Sequence, residues 1–169
     1  MHLYMKKLIF LLMGIVVASA SVSAAEPKLG FVNTARLLKE APQAELARKK
    51  LESEFAPRDK KIVEMQKNLK KLEDRLVKKS ASLSDADKKK LERQIVSDKR
   101  DIKRSREEFT EDLNIRRNEE LNKLQKLVYD TIVNLSKEQN YDLILGDSVL
   151  YASKRVDITD RVLDKLKNK

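Results

Sequence analysis

The chain has 169 residues, of which 38% are Asp, Glu, Lys or Arg and 5% are aromatic, with no Cys, three Gly and a single His, His2, in a segment expected to be removed. A mature protein without His or Cys excludes His- or Cys-ligated zinc, thiol nucleophiles and histidine-based triads, and so few glycines exclude a glycine-rich phosphate loop. No catalytic, cofactor-binding or metal-ligating residues are therefore expected, while a formal charge of +10 points to an anionic partner.

The first segment reads as a cleavable leader. Lys6 and Lys7 precede an apolar run over 8–18, and small residues follow over 20–25. That is the layout of a secretory signal peptide occupying residues 1–24, with cleavage after Ala24 or Ala25. The apolar run is short for a membrane span, which needs about 20 residues. Removing Lys6 and Lys7 leaves 35 basic against 27 acidic residues, so the mature charge is about +8. Export sets nucleic acid aside, and no nucleic-acid partner is expected.

After the leader, Leu29, Phe31 and Val32 suit a short strand, and Gly30 inside it marks a close backbone approach or a bulge. Asn33 is placed to cap a short helix over 34–40. Pro42 fits the first turn of the next helix, where its missing N–H costs nothing.

A stretch of 97 residues, 43–139, follows with no Gly and one Pro. It reads as a helical hairpin with its tip near 80–86. On the outgoing arm Phe55, Ile62, Leu69 and Leu76 form one heptad row, and Leu51, Met65 and Leu72 form another. This is the narrow seam of a coiled coil. Pro57 interrupts it and is a candidate hinge, because a proline inside a helix removes a backbone bond and clashes with the preceding turn. Arg58 breaks the second apolar row beside it. Ser84 with Asp87 three residues on reads as an acidic capping box for the returning arm. Ile95, Ile102 and Phe109 continue the seam, but Asp98 and Ser105 occupy companion positions. Below Phe109 the apolar content rises from Leu113 to Leu135, which reads as the place where the arm enters an oligomeric core. The last segment holds two apolar runs around residues 146–148, expected to form a β-hairpin. A short helix over 161–166 ends the chain.

The end segments, 25–42 and 140–169, thus make a small discontinuous body. Three short strands would expose two sheet edges, and so small a unit barely supports a core, so self-association is expected. Its subunit number does not follow from these considerations. About 40 residues of distal arm would reach roughly 50–60 Å from the body.

Charge is uneven along the arms. Residues 58–106 hold 18 basic against 9 acidic side chains, whereas 107–138 hold 5 against 8. The basic excess near the tip defines a candidate anion- or client-binding surface: Lys78, Lys79, Lys88, Lys89, Lys90, Arg93, Lys99, Arg100, Lys103 and Arg104. Part of it is accounted for by ion pairs along a solvated helix. The surplus suits phospholipid head groups, lipopolysaccharide or acidic polypeptide.

Several segments in this order carry a family resemblance. They are residues 29–42, 116–120, 141–145, and most clearly 149–153 followed by 156–160. With a charged helical hairpin between them, the chain resembles the Skp/OmpH-like periplasmic chaperones. The resemblance implies a mainly α fold with a small β body, built as a jellyfish-like homotrimer. A β-rich oligomerisation domain would carry three antiparallel coiled-coil arms around a cavity. It also implies an ATP-independent holdase for unfolded outer-membrane β-barrel proteins in the periplasm, with no cofactor. One departure is Asn140, where members of the family often have Gly; Asn tolerates the turn nearly as well. Two other readings remain: an envelope adaptor or spacer that binds anionic lipid or lipopolysaccharide through its tips, and a nucleic-acid-binding coiled coil favoured only by the high pI.

Overall fold

The computed structural model of the chain describes residues 26–79 and 81–168. The expected leader and its cleavage site lie outside the described residues. The elements in order are β1 (Leu29–Phe31), α1 (Thr34–Glu40), α2 (Pro42–Lys79), α3 (Asp85–Glu138), β2 (Leu143–Leu145) and α4 (Thr159–Lys167). The fold is mainly α with a small β element, as expected. No described helix is long and apolar enough to cross a membrane.

The helix boundaries follow local chemistry. The Asn33 side chain accepts from the Arg36 amide at 2.9 Å and caps α1. Pro42 is the first residue of α2, where a proline lacks only an N–H that would be orphaned anyway. Ser84 caps α3 by accepting from the Asp87 amide at 3.1 Å, and its hydroxyl donates back to the Asp87 carboxylate at 2.6 Å. Asp85 and Asp87 put negative charge on the positive end of α3. At its other end Asn140 adopts φ 52°, the left-handed conformation that lets the chain leave the helix. α2 continues through Pro57 as one unbroken helix.

α2 and α3 pack antiparallel. Their seam is buried at Phe55, Ile62, Ile95 and Ile102 and only half-buried at Met65, Leu69, Leu72, Leu76 and Leu91. At 1.5 Å per residue, the 38 residues of α2 span about 57 Å.

The body differs from the expected arrangement in one respect. β2 pairs in parallel with β1, with Leu29 beside Leu143 and Phe31 beside Leu145. The β-hairpin expected around residues 146–148 does not form. β2 is paired on one edge with β1, where the Val32 amide donates to the Leu145 carbonyl at 2.9 Å, and the apolar run after the turn, with Leu150 and Tyr151, stands exposed instead of pairing with it. The turn after β2 is held instead by Thr34, whose hydroxyl donates to Asp147, and by Ser148 at φ 70°. On its other side β1 is flanked by residues 156–158. The Phe31 amide donates to Val156 and the Phe31 carbonyl accepts from Ile158, at 2.8 and 2.9 Å. β1 is therefore the central strand. A hundred residues of helical arm lie between it and β2, and only the closed arm brings the two together.

The core sits where β1, α1, α4 and the base of α3 meet. It comprises Val32, Leu37, Ala41, Leu124, Val128, Leu135, Ile158, Val162, Leu163 and Leu166. Much of the apolar face over 113–135, expected to meet other subunits, is thus covered within the chain by α1 and α4. Each fully buried Leu or Val contributes about 1.5–3 kcal/mol, so this use of α3 offsets the small size of the body. Gly30 faces this core. A Cβ there would lie 3.2 Å from both Ile144 and Tyr141 and 3.3 Å from Ile158, which is the close approach its position in the strand signalled.

Candidate functional site

The surfaces open to a partner are the arm tip, the groove between the arms at their root, and the outer face of the sheet.

At the tip, Lys78 and Lys79 occupy the last turn of α2, where cations favour the negative helix end. Lys88, Lys89 and Lys90 lie in the opening turns of α3, where the same dipole opposes them. Asp85 reaches Lys88 at 3.8 Å. Among the described residues no ion pair joins Lys78, Lys79, Lys89, Lys90 or Arg93 to a carboxylate. The rest of the sequence-defined basic set behaves otherwise. Lys99 pairs across the arms with Glu73 at 2.8 Å, Lys103 lies 3.8 Å from Glu107, and Arg104 pairs with Asp101 at 3.0 Å. Arg100 donates to the Val96 carbonyl at 3.4 Å. The ten cations therefore divide into a tip group with free charge and a shaft group largely spent within the arm. A tip cleft of about 210 Å³ lies between Arg75, Leu83, Asp87, Lys90, Leu91 and Gln94.

At the root, a groove of about 700 Å³ opens between α2 and α3. Its floor is apolar, with Ala44, Leu51, Phe55, Leu113, Leu121 and Leu124, and its rim carries Arg48, Glu52, Asp59 and Arg117. Further apolar side chains stand exposed along the shaft: Val63, Val77, Val96 and Ile115.

The root also corrects the reading of Arg58 as a break in the seam. Its guanidinium lies over the rings of Phe55 and Phe109, 5.6 and 6.0 Å from their centroids, and pairs with Asp112 at 2.7 Å. The apolar stem and planar head of an arginine can extend a seam where a shorter charged residue would interrupt it. Arg116 grips Glu54 through two N–H groups, at 3.1 and 3.2 Å, and also pairs with Glu119. These partners push the Arg116 guanidinium higher still and hold Glu54 below the usual carboxylate range. Glu120 accepts from Lys50 at 3.0 Å and from Lys123 at 3.1 Å. Those two ammonium groups bring its carboxyl down from 4.5 to about 2. None of these cross-arm partners was marked by the sequence reading, although spacings of four with alternating sign are visible at 50, 54, 58 and at 112, 116, 120.

On the body, register partners share a face of the sheet, so Leu29, Phe31, Leu143 and Leu145 point outward together, opposite Gly30 and Ile144. Leu29, Leu143 and Leu145 are exposed, and beyond β2 both Leu150 and Tyr151 stand almost wholly in solvent. Among the described residues no group of three or more His, Cys, Asp or Glu is gathered so as to hold a metal ion.

Comparison with known proteins agrees with this architecture. The sequence model of the family described as "Outer membrane protein (OmpH-like)" matches residues 28–166. The protein named chaperone protein Skp of Yersinia enterocolitica is 30% identical over 151 residues, covering 89% of this chain and 91% of that protein. The one of Pectobacterium atrosepticum is 28% identical over 154 residues, covering 90% and 93%. A crystal structure of an OmpH-like protein from Caulobacter crescentus superposes with a TM-score of 0.75 at 14% identity, over 85% of this chain and 86% of that one.

Proposed function

The chain belongs to the OmpH-like family, and from that premise we propose that it is a chaperone for outer-membrane proteins. In this reading it is an exported, ATP-independent holdase that keeps unfolded β-barrel chains soluble in the periplasm. The observation that carries the proposal is the arm itself. Beyond Ile62 its seam is fully buried only at Ile95 and Ile102 and half-buried at Met65, Leu69, Leu72, Leu76 and Leu91, its root groove is apolar with a charged rim, and further apolar side chains stand exposed along the shaft. Such a surface offers many weak contacts without a defined pocket. That suits a chain with no fixed structure of its own, whereas a specific partner would call for concentrated anchors.

Self-association into a trimer is part of the proposal. The outward sheet face of Leu29, Phe31, Leu143 and Leu145 is apolar, Leu150 and Tyr151 further along the chain are exposed too, and other copies of the chain would cover them. The body, 25–42 and 140–169, would then be the assembly domain, and the arm, 43–139, would be one wall of a shared cavity. Pro57 would act as the hinge of that wall.

The cations at the tip support a further contact with anionic lipid or lipopolysaccharide, and they are what favours the adaptor reading. The two readings separate in one experiment. Urea-denatured outer-membrane β-barrel protein is diluted into buffer with the mature chain and no ATP, and turbidity and native mass are followed. A holdase suppresses aggregation and runs as a defined complex of three chains with one client. An adaptor leaves the client to aggregate while still binding anionic vesicles.

A further inference from the structure

Three ion pairs cross between the arms at their root: Lys50 with Glu120, Glu54 with Arg116, and Arg58 with Asp112. Each step of four residues up α2 is matched by a step of four down α3. The signs alternate along both arms. α2 reads plus, minus, plus, and α3 answers minus, plus, minus.

This alternation discriminates between alignments. A slip of four residues moves one arm along the other by about 6 Å and keeps similar faces in contact. In one direction it sets Glu54 against Glu120 and Arg58 against Arg116. In the other it sets Lys50 against Arg116 and Glu54 against Asp112. Either slip replaces attractions with like-charge contacts. A ladder of uniform sign on each arm would have left both slips attractive. The apolar seam beyond the root is a sparse row of similar aliphatic side chains, which distinguishes poorly between neighbouring alignments.

We infer that this alternating ladder is the register-setting element of the arm: a second helix is accepted in one alignment because the neighbouring ones are repulsive. An isolated surface ion pair contributes little, but two of the three rungs, Lys50 with Glu120 and Glu54 with Arg116, are joined in one network. Arg116 holds Glu54 in a two-pronged grip and also reaches Glu120 at 3.4 Å. Glu120 is shared by Lys50 and Lys123, and its side chain is only 11% exposed. Specificity gained by making the alternatives repulsive is the same device that sets pairing in coiled coils. Its place at the root has a consequence for the rest of the arm. With the register set beside the body, the distal seam can stay loosely zipped without the arm losing its alignment.

The test is to keep the charges and remove the alternation. The double swap E54R/R116E preserves an opposite-charge pair at that rung but makes each arm uniform in sign, so both four-residue slips become attractive. Spin labels are placed on cysteines introduced by K60C and T110C, in a chain with no other Cys. Labelled chains are diluted with unlabelled protein so that only distances within one chain are read. The parent should give one narrow distance, and the swap should add a second, displaced population at unchanged helical content. The neutral pair E54Q/R116Q, which removes the repulsion more gently, should broaden the distance distribution. A single undisplaced peak in the swap overturns the inference. If the swap does not fold, the same result in the neutral pair overturns it.

Discussion

Phe55 and Phe109 meet edge to face across the arms, with centroids 5.5 Å apart and planes at 85°. They are the last aromatic contact before Pro57 and the looser distal seam. Phe55 is 5% exposed, so truncating it opens a cavity that the rigid helix pair cannot easily collapse. Phe55→Ala should cost about 3 kcal/mol. Urea unfolding would read the loss, and hydrogen exchange should place it in the arm root while amides of α1 and α4 keep their protection.

Gly30 is the corresponding point in the body. Ile144, Tyr141 and Ile158 all lie within 3.3 Å of where a Cβ on this residue would sit, so Gly30→Val forces β1 away from β2 and the core. Overpacking of this kind costs about 1–3 kcal/mol. The native mass should fall towards that of a single chain while the arm, which lies elsewhere, keeps its helical circular dichroism.

Pro57 cannot donate to the Ser53 carbonyl within α2. Pro57→Ala removes a defect of about 3 kcal/mol in a helix interior and should stiffen the arm. If bending there admits large clients, the variant should protect small barrels as before and large barrels less well. Equal protection across sizes would remove Pro57 from the mechanism.

The tip cations are predicted to act by charge alone. Reversing Lys88, Lys89 and Lys90 to Glu should abolish salt-sensitive binding to anionic vesicles and leave the native mass unchanged. Surface charges contribute little to folding, so the melting temperature should barely move. Vesicle binding that survives the reversal would relocate the anion contact to another part of the arm.

Acid should spare the arm root until low pH. The Glu120 carboxyl sits at about 2 in the folded chain against 4.5 when unperturbed. A folded value below the unfolded one means that its contribution is complete above about pH 4.5 and is lost as pH falls towards 2. The stability difference between the parent and Glu120→Gln should therefore be constant from pH 7 to 5 and close between 4.5 and 2. A difference already closed at pH 5 would mean that the Lys50 and Lys123 contacts do not persist in solution.

Local chemistry was legible from residues alone wherever its cause lay within a few positions. Asn33, Pro42 and Ser84 with Asp87 start helices because each satisfies or lacks a backbone group at its own position. The heptad rows located the arm seam because the 3.6-residue repeat is intrinsic to a helix. Gly30 was recognisable as a close approach, though not what it approached.

The features that escaped depend on which distant residues meet. Leu143 to Leu145 has the composition of a strand, but its partner is β1, 114 residues earlier, rather than the apolar run after it. That choice is made by the closed arm, which returns the chain beside β1 and leaves Leu150 and Tyr151 exposed. Arg58 looked like an interruption because the rings it covers lie on two helices. The division of the ten tip and shaft cations into free and paired could not be read from their number, since it depends on where Glu73, Asp101 and Glu107 fall around each helix.

By itself the sequence determined the kind of protein this is. A charged helical hairpin lies between small apolar ends, and the chain has no Cys and, apart from His2, no His to support catalysis by those residues. These follow from composition and short-range periodicity, which any fold must obey. Only the tertiary structure decided the alignment of the arms, the parallel pairing of β1 with β2, and which apolar and basic side chains remain for a partner. Each of those is set by contacts between residues far apart in the chain. The energy of such a contact depends on mutual geometry that neither residue carries alone.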